Sequence, residues 1–431
     1  MQSTQSSSGF SVDELRECIA GRKIHLWGAS IVGFGMLRAL QRNGFQPVGF
    51  LDKSPRLQQT GTLGFPVLAP DWLLNNLSRR EKSFVVVTSG HYEDEIVGLC
   101  EEAGMRRGVD FLTANEINRY DPSVDVAGMC NLRCISCPRG NMEDQGATGF
   151  MRIDTYEKVV AKLLREIPFL GSIQLYAWGE PLLNRDLPAM IRTTVDRQIL
   201  LAISTNLNIK RDFSDVIEAK PDWIKVSTSG FGRGYEISHT GGNWELLHDN
   251  LYKLRDHRAR FHPEMYVEVN YHMYRRNAGD ELKRMESLCS KLGFAFRPNQ
   301  AYLYPLDHVM AYRKGEPIPK AAQDTIDMLM LPIDEGIALA EQEAHLPCAE
   351  ERCVPIAWDL SVRSCGAYFK PRMADNFLET PLEEIIQTRI DSGICDRCKA
   401  QALHRYTSVY VREKISLSPE LRKEVEVTCK D

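Results

Sequence analysis

The first part of the chain alternates short apolar runs with amphipathic stretches. The apolar runs predict strands at Lys23–Trp27, Pro47–Leu51 and Ser83–Val87, and the amphipathic stretches predict helices at Val12–Ile19, 36–42 and 91–103. Ser11 precedes the first helix and Glu14 lies three residues further on, which is typical of a capped helix start. Strands that alternate with helices predict a parallel sheet.

The same alternation continues through the middle of the chain. A strand end at 124–128 is followed by predicted helices at 156–167, 187–197, 244–258 and 281–292, and by predicted strands at 172–176, 200–204, 223–227, 265–271 and 294–297. Polar residues follow several of these strands. Repeated β–α units of this kind predict a barrel with its site at the carboxyl ends of the strands.

The last part of the chain has a weaker periodic pattern and more cysteines. Residues 356–362 predict a β-hairpin, and cysteines lie on both sides of it. We therefore expect three domains, at residues 1–118, 119–335 and 336–431.

Composition narrows the range of functions. With 43% hydrophobic and 26% charged residues, the chain has an ordinary globular composition. The formal charge of -5 provides no basic surface for nucleic acid, and no apolar run of about 18 residues predicts a membrane span. The polar first nine residues do not resemble a secretory signal. Eight of the twelve cysteines form two groups, which favours metal binding in a reducing cytoplasm over disulfide formation.

The first group, Cys130, Cys134 and Cys137, has the spacing C-x3-C-x2-C. Thiolates favour zinc or iron–sulfur clusters over hard cations. A [4Fe–4S] cluster normally takes four cysteines, so three would leave one iron open to a substrate. A zinc knuckle is the alternative for the same three residues. Pro138–Asn141, which follows, is not expected to continue a helix.

This loop resembles the signature of the radical SAM superfamily. The resemblance implies a [4Fe–4S] cluster whose open iron binds S-adenosylmethionine, and a 5′-deoxyadenosyl radical that abstracts hydrogen from a substrate. Ser136 departs from the family, which usually has an aromatic residue before the third cysteine to pack on adenine.

Three strand ends resemble the family's cofactor-contacting motifs. The resemblance implies that Glu180 accepts from the methionine amino group, and that Ser204 and Asn206 hold ribose hydroxyls or the methionine carboxylate. At the third strand end, Ser229 replaces the family's usual acid. The implied cofactor-binding residues are Gly179, Glu180, Pro181, Ser204, Asn206 and Ser227.

The second group of cysteines resembles the SPASM/twitch extension of the superfamily, with Leu360 in place of the usual hairpin glycine. The implied ligands of one auxiliary [4Fe–4S] cluster come from Cys348, Cys353, Cys365, Cys395 and Cys398. One cluster needs four of these five, and either Cys348 or Cys353 stays free. A structural zinc site is the alternative.

The N-terminal segment resembles small Rossmann-like domains that accompany sugar-modifying enzymes. A glycine loop begins at Gly28, and Asp52 follows 24 residues later, as in a dinucleotide-binding turn. Ser30 replaces the second glycine of that motif. The loop either binds a nucleotide or nucleotide sugar or serves a structural or docking role.

The sequence offers two candidate catalytic residues, but neither belongs to a specific motif. His239 could face the substrate or could lie on a surface loop, and Cys289 could donate a hydrogen atom or could be a small core residue. Cys18, Cys100 and Cys429 have no expected role.

Together these features predict an α/β chain with a partial (β/α)6 TIM-like barrel, an N-terminal Rossmann-like domain and a C-terminal SPASM/twitch extension. The predicted function is radical oxidation or epimerisation of a carbohydrate-like small molecule, such as a sugar, aminocyclitol or nucleotide sugar. Radical modification of a ribosomal peptide or a protein side chain is the alternative, and a binding module with inert clusters is a third interpretation. An electron donor such as flavodoxin or ferredoxin would be a partner.

Overall fold

A computed structural model describes residues 9–90, 92–144, 146–348 and 350–411. The chain divides into two compact units. The first holds the residues up to 121 together with 158–173 and 194–200, and the second holds the rest. The separate domain expected at 336–431 stays a prediction.

The first unit is built on a five-stranded parallel sheet. Its strands are β1 (Lys23–Trp27), β2 (Pro47–Leu51), β3 (Val67–Leu68), β4 (Ser83–Val87) and β5 (Phe111–Thr113), in the order β3-β2-β1-β4-β5. Successive apolar residues point to opposite faces of a strand. Leu26 and Trp27 accordingly enter two separate hydrophobic clusters. The predicted parallel sheet is confirmed, and strands β1, β2 and β4 have the predicted bounds.

Seven helices accompany this sheet. They are α1 (Val12–Ile19), α2 (Ile31–Arg42), α3 (Pro55–Thr60), α4 (Pro70–Leu74), α5 (Leu77–Glu81), α6 (Glu93–Glu102) and α7 (Ala114–Ile117). Ser11 and Glu14 form the expected reciprocal cap of α1. The start predicted for α2 at residue 36 is wrong, because the helix begins at Ile31 and contains Gly33. A Cβ at Gly33 would lie 2.1 Å from the Gly28 carbonyl oxygen, so glycine is what lets this helix start against the loop.

The second sheet carries six parallel strands in chain order. These are β6 (Asp121–Val124), β7 (Ser172–Leu175), β8 (Leu200–Thr205), β9 (Trp223–Thr228), β10 (Tyr266–Met273) and β11 (Ala295–Gln300). Three further strands, β12 (Cys353–Ile356), β13 (Val362–Arg363) and β14 (Arg372–Ala374), continue the sheet beyond β6. The order β11-β10-β9-β8-β7-β6-β12-β13-β14 leaves the sheet open. The predicted α/β fold with a partial (β/α)6 barrel is therefore confirmed.

Helices separate these strands and follow them. They are α8 (Pro138–Asn141), α9 (Ile153–Glu166), α10 (Leu187–Val195), α11 (Ser214–Glu218), α12 (Arg233–Ser238), α13 (Trp244–Phe261), α14 (Asp280–Leu292), α15 (Leu306–Arg313), α16 (Lys320–Met328), α17 (Ile333–Gln342), α18 (Leu382–Asp391), α19 (Ile394–Ala400) and α20 (Leu403–Tyr410). A 3-10 turn forms at Pro181–Leu183. Within the described ranges, none of the helices has the length and apolar character needed to cross a membrane.

The predicted hairpin at 356–362 forms between β12 and β13, where Ile356 lies opposite Val362. Leu360, in the place of the expected glycine, has a φ of 69°. This is the left-handed region that glycine usually occupies.

Candidate functional site

The cysteine loop follows β6 and opens onto a cavity of about 340 Å³. Cys130, Cys134 and Cys137 all line this cavity, and each is partly exposed. After the third cysteine the chain begins the new short helix α8 and does not continue an earlier one, as expected for Pro138–Asn141. Pro138 occupies the first helical position, where its missing N–H and fixed φ cost nothing.

Two N–H groups point at the first thiol of the loop. The Leu132 backbone N–H and the Asn206 side-chain Nδ2 each lie 3.4 Å from Sγ of Cys130. Burial raises the pKa of the Cys130 thiol to about 12 and that of Cys137 to about 11. A metal takes thiolate rather than thiol, and donors aimed at a sulfur stabilise its anionic form.

The donor set fits an iron–sulfur cluster in its chemistry, because three soft ligands from one loop face one cavity. In the described parts of the chain, no group of three or more His, Cys, Asp or Glu side chains is placed to hold a single metal ion.

Glu180 lies beside this loop and is 2% exposed. Its Oε1 accepts hydrogen bonds from Thr205 Oγ1 at 2.7 Å and from the Leu182 N–H at 3.0 Å, and its Oε2 accepts from the Asn206 N–H at 2.7 Å. Burial raises the pKa of this carboxyl to about 7, and the three hydrogen bonds oppose that rise. The carboxylate therefore ties the turn after β7 to the end of β8.

The glycine before Glu180 is required by close packing. A Cβ at Gly179 would lie 1.5 Å from the Ala127 carbonyl oxygen. The Glu180 N–H donates to the Met129 carbonyl at 2.9 Å. The two segments that contribute Glu180 and Cys130 are thus held in direct backbone contact.

The expected cofactor-binding residues on the next strands also reach the cavity. Gly179, Glu180, Ser204, Asn206 and Ser227 are among its lining residues. The hydroxyl oxygens of Ser204 and Ser227 lie 3.2 Å apart. Pro181 starts the 3-10 turn behind Glu180 and does not itself line the cavity.

Polar side chains from adjacent strands extend the cavity wall, and most of them were not singled out in the sequence. Ser229 and His272 line the cavity, with Ser229 Oγ 3.2 Å from His272 Nδ1. Asn270 also lines it, and its Oδ1 accepts from Nδ2 of Asn299, outside the lining, at 2.7 Å. Lys225 also lines the cavity. The available signal was the alternation along β9 and β10, because residues two apart share one face of a strand.

Aromatic residues form another wall. The ring of Trp178 lies 4.8 Å from that of Tyr304, and the ring of Tyr304 lies 5.7 Å from that of Tyr302. All three line the cavity. Tyr302 and Tyr304 follow β11, where the sequence shows plausible pocket residues but no specific motif.

The two weak catalytic candidates differ in position. His239 lines the cavity and is 6% exposed, so its interpretation as a surface-loop residue is wrong. Its ring stacks on Tyr235 at 4.5 Å, and burial lowers its pKa to about 3, with His272 contributing. Cys289 is 1% exposed within α14 and is not among the described residues that line the cavity. A residue that donates a hydrogen atom would have to reach the substrate in this cavity, so the position of Cys289 favours its interpretation as a core residue.

The second group of cysteines lies around β12 and α19. Cys398 is buried in a hydrophobic cluster, and Cys365 and Cys395 pack against the same cluster. Cys348 is partly exposed, and burial followed by the nearby Cys398 thiol raises its pKa, to about 11. Cys353 begins β12, and its Sγ lies 4.0 Å from Ser123 Oγ on β6.

The other cysteines lie apart from both groups in the sequence. Cys18 is partly exposed in α1, and Cys100 is buried in α6. Cys429 lies outside the described residues.

In the first unit, the carboxylate of Asp52 accepts a hydrogen bond from the backbone of the glycine loop. Its Oδ2 accepts from the Ala29 N–H at 2.9 Å, and its Oδ1 accepts from the Ser54 N–H at 2.8 Å. Ser30 caps α2 by position but makes no side-chain hydrogen bond there. These contacts favour a structural role for the loop.

No protein-family model and no curated protein matches the sequence. Among solved structures, the chain is similar to BtrN in complex with AdoMet and 2-DOIA, with 16% identity, a TM-score of 0.40, and coverage of 69% of this chain and 94% of that one. It is similar to anSMEcpe with bound AdoMet at 14% identity, with a TM-score of 0.44 and coverage of 72% and 96%. It is also similar to Streptococcus suis SuiB bound to the precursor peptide SuiA at 11% identity, with a TM-score of 0.42 and coverage of 69% and 68%. These three neighbours are radical SAM enzymes. At such identities, activity and substrate have to be judged from this chain's own residues.

Proposed function

We propose that this chain is a radical SAM enzyme that acts on a carbohydrate-like small molecule. The observation that carries the proposal is that Cys130, Cys134 and Cys137 line one cavity with Glu180 and Asn206. These residues lie far apart in the sequence and belong to three separate motifs of one family.

Each group of residues has a task in this proposal. A [4Fe–4S] cluster on the three thiols would supply an electron that cleaves S-adenosylmethionine to methionine and a 5′-deoxyadenosyl radical, which takes a hydrogen atom from the substrate. Glu180 orients the strand ends that receive the methionine amino group, since its carboxylate is already fixed by three donors. Ser204 and Ser227 offer hydroxyls to the ribose or the methionine carboxylate. His239, buried and neutral, lines the wall.

A second cofactor belongs to the proposal. Four cysteines, namely Cys348, Cys365, Cys395 and Cys398, would hold one auxiliary [4Fe–4S] cluster. Cys365, Cys395 and Cys398 share one hydrophobic cluster, which keeps solvent away from such a site. We infer a reducing, cytoplasmic setting and a low-potential donor such as flavodoxin or ferredoxin.

The polar wall supports a carbohydrate-like substrate. Ser229, Asn270 and His272 present hydroxyl, amide and imidazole groups to the cavity from β10 and from the end of β9. Such groups match the hydroxyls of a sugar or an aminocyclitol. Oxidation at the carbon that loses the hydrogen atom would require the substrate radical to pass one electron to the auxiliary cluster and to lose a proton. Epimerisation would instead require a hydrogen-atom donor to return a hydrogen atom to the opposite face of that carbon.

The first experiment concerns the cofactor. After anaerobic reconstitution, we expect an electron paramagnetic resonance signal of a reduced [4Fe–4S] cluster that changes on addition of S-adenosylmethionine, with formation of 5′-deoxyadenosine. Cys134→Ala should abolish both effects, whereas Cys100→Ala, in a buried helix of the first unit, should keep them. A spectrum that is insensitive to S-adenosylmethionine, or zinc on the three thiols, would overturn the proposal.

The second experiment concerns the substrate. Candidate sugars and aminocyclitols deuterated at each carbon should transfer deuterium into 5′-deoxyadenosine. Transfer from labelled peptides alone would refute the carbohydrate assignment and establish peptide modification instead. Cluster binding without any cleavage of S-adenosylmethionine under a strong reductant would favour a binding module.

A further inference from the structure

Lys225 differs from every other described residue that lines the cavity, because it alone carries a Lys or Arg side chain. The cavity also contains one carboxylate, that of Glu180, and this group already accepts three hydrogen bonds within the chain. The positive charge of Lys225 is therefore not balanced by a carboxylate on the cavity wall.

The surroundings of Lys225 are mostly aromatic. Its Nζ lies 4.9 Å from the ring centre of Trp223 and 5.7 Å from that of Tyr176. Aromatic faces stabilise an ammonium without neutralising it. Burial lowers the pKa of Lys225, Glu268 opposes this and Arg297 adds to it. An anion placed beside the ammonium would raise that pKa again.

Glu268, opposite Lys225 on the neighbouring strand, is already paired elsewhere. Its Oε2 lies 3.4 Å from Nε of Arg297, and Lys225 is in register with it across β9 and β10. The ion pairs found among the described residues do not include Lys225. Arg297 is therefore the cation that pairs with Glu268, and the ammonium of Lys225 is the one that faces the cavity.

Hydroxyl-binding groups lie on the same strand faces. Asn270 is two residues beyond Glu268 on β10, and Ser229, just beyond β9, has its Oγ 3.2 Å from Nδ1 of His272. Ser229, Asn270 and His272 all line the cavity. Burial lowers the pKa of His272 to about 4, and the charge of Lys225 contributes. The imidazole of His272 is thus neutral at neutral pH and serves as a hydrogen-bonding group, which leaves Lys225 as the cation of the cavity.

We propose that the substrate is an anionic, hydroxyl-bearing small molecule whose carboxylate or phosphate lies against Lys225, with its hydroxyls along Ser229, Asn270 and His272. The inference rests on the proposed function, since it names the substrate class of the same cavity. A charge-assisted hydrogen bond in a site shielded from water is stronger than the neutral contacts around it.

The test is calorimetric binding to the anaerobically reconstituted full chain, using glucose, glucuronate, glucose 6-phosphate and inorganic phosphate as probes. We expect glucuronate or glucose 6-phosphate to bind roughly tenfold or more tightly than glucose, as one charge-assisted hydrogen bond predicts. Whichever of the two binds more tightly identifies the anionic group. Lys225→Met should remove most of this preference, and Lys225→Gln provides a second uncharged variant if the first does not fold.

Lys291→Met is the matched control, because the exposed Lys291 has its Nζ 5.5 Å from the ring of Tyr252 and does not line the cavity. It should keep the wild-type preference. Equal binding of glucose and the anionic probes, or no binding of either anionic sugar, would overturn the inference. If inorganic phosphate bound as tightly as glucose 6-phosphate, the inference would also be overturned, because the sugar hydroxyls would then add nothing to the binding affinity.

The outcomes separate this inference from the proposed function. Cleavage of S-adenosylmethionine without an anionic preference would leave the radical SAM assignment intact and remove only the substrate class. If Lys225→Met weakens S-adenosylmethionine binding while the preference for anionic sugars persists, Lys225 serves the methionine carboxylate and the inference fails.

Discussion

Asn206 donates a hydrogen bond from its side-chain Nδ2 to Sγ of Cys130 across 3.4 Å. The same Nδ2 lies 3.1 Å from Asn131 Oδ1, inside the cysteine loop. The backbone N–H of Asn206 meanwhile binds Glu180 at 2.7 Å. One residue at the end of β8 therefore connects the expected cluster ligand to the expected cofactor acceptor.

Removing this amide should lower the reduction potential of the cluster. Hydrogen bonds to cluster sulfurs are one of the features that set such potentials. We expect Asn206→Ala to lower the potential by roughly 20–60 mV, the one-electron equivalent of a hydrogen bond worth about 0.5–1.5 kcal/mol. A spectroscopic redox titration without S-adenosylmethionine measures this directly. Asn115→Ala, an exposed site in the first unit, is the control, and an unchanged potential in Asn206→Ala would contradict the expectation.

The second cysteine group should lose its cluster when Cys348 is replaced but not when Cys353 is. The thiol of Cys348 lies near that of Cys398, whereas the thiol of Cys353 lies near that of Cys365 and against Ser123 Oγ at 4.0 Å. We expect Cys348→Ser to lose about four irons per chain, one [4Fe–4S] cluster, and Cys353→Ser to keep them. Iron and sulfide analysis of the two purified variants decides the matter. The opposite pattern would make Cys353 the ligand and Cys348 the free thiol.

An added methyl group should have opposite effects at two glycines. At Gly179 the new Cβ would meet the Ala127 carbonyl, and at Gly98 in α6 it would meet nothing within 4 Å. We expect Gly179→Ala to destabilise the chain by about 1–3 kcal/mol through overpacking. Gly98→Ala should stabilise it by about 0.5–1 kcal/mol, because glycine is a poor helix former. Denaturant unfolding monitored by circular dichroism measures both, and equal effects at the two positions would contradict this packing.

The sequence predicted those parts of the fold that depend on local pattern. β1, β2 and β4 have the predicted bounds because each is a short apolar run between polar residues. α11 and α12 were missed, since five- and six-residue helices show too little periodicity. The attachment of β12 to the sheet was also missed. It brings Cys353 close to Ser123, which lies 230 residues earlier, and no local sequence pattern indicates so distant a contact.

Some residues of the candidate site could likewise be predicted from the sequence, and others could not. Cys130, Glu180 and Asn206 belong to compact motifs that can be recognised from spacing alone. Lys225 and His272 were missed because each lies within an ordinary strand, and only the pairing of β9 with β10 puts their side chains on one wall. Motif residues are thus accessible from sequence, whereas substrate-facing residues depend on which strands become neighbours.

His25 should make the stability of the first unit sensitive to acid. It is 3% exposed on β1, its ring lies 5.4 Å from that of Trp72, and neither ring nitrogen has a hydrogen-bond partner among the described residues. Burial, with Lys23 contributing, lowers its pKa to about 4. Between about pH 6.5 and 4, His25 is therefore protonated in the unfolded chain but not in the folded chain. The free energy of unfolding consequently decreases as the pH falls. The loss approaches roughly 3 kcal/mol near pH 4 and is absent above about pH 7.

His25→Leu should remove this part of the acid sensitivity, because leucine of similar size has no proton to bind. The measurement is the free energy of unfolding from denaturant titrations at pH 7.5, 6 and 5, for the wild type, His25→Leu and His345→Gln. His345 is exposed, so its replacement should leave the pH dependence of the wild type unchanged. A His25→Leu curve that falls as steeply as the wild type between pH 6.5 and 5 would show that the imidazole is charged inside the fold, with an acceptor beside it.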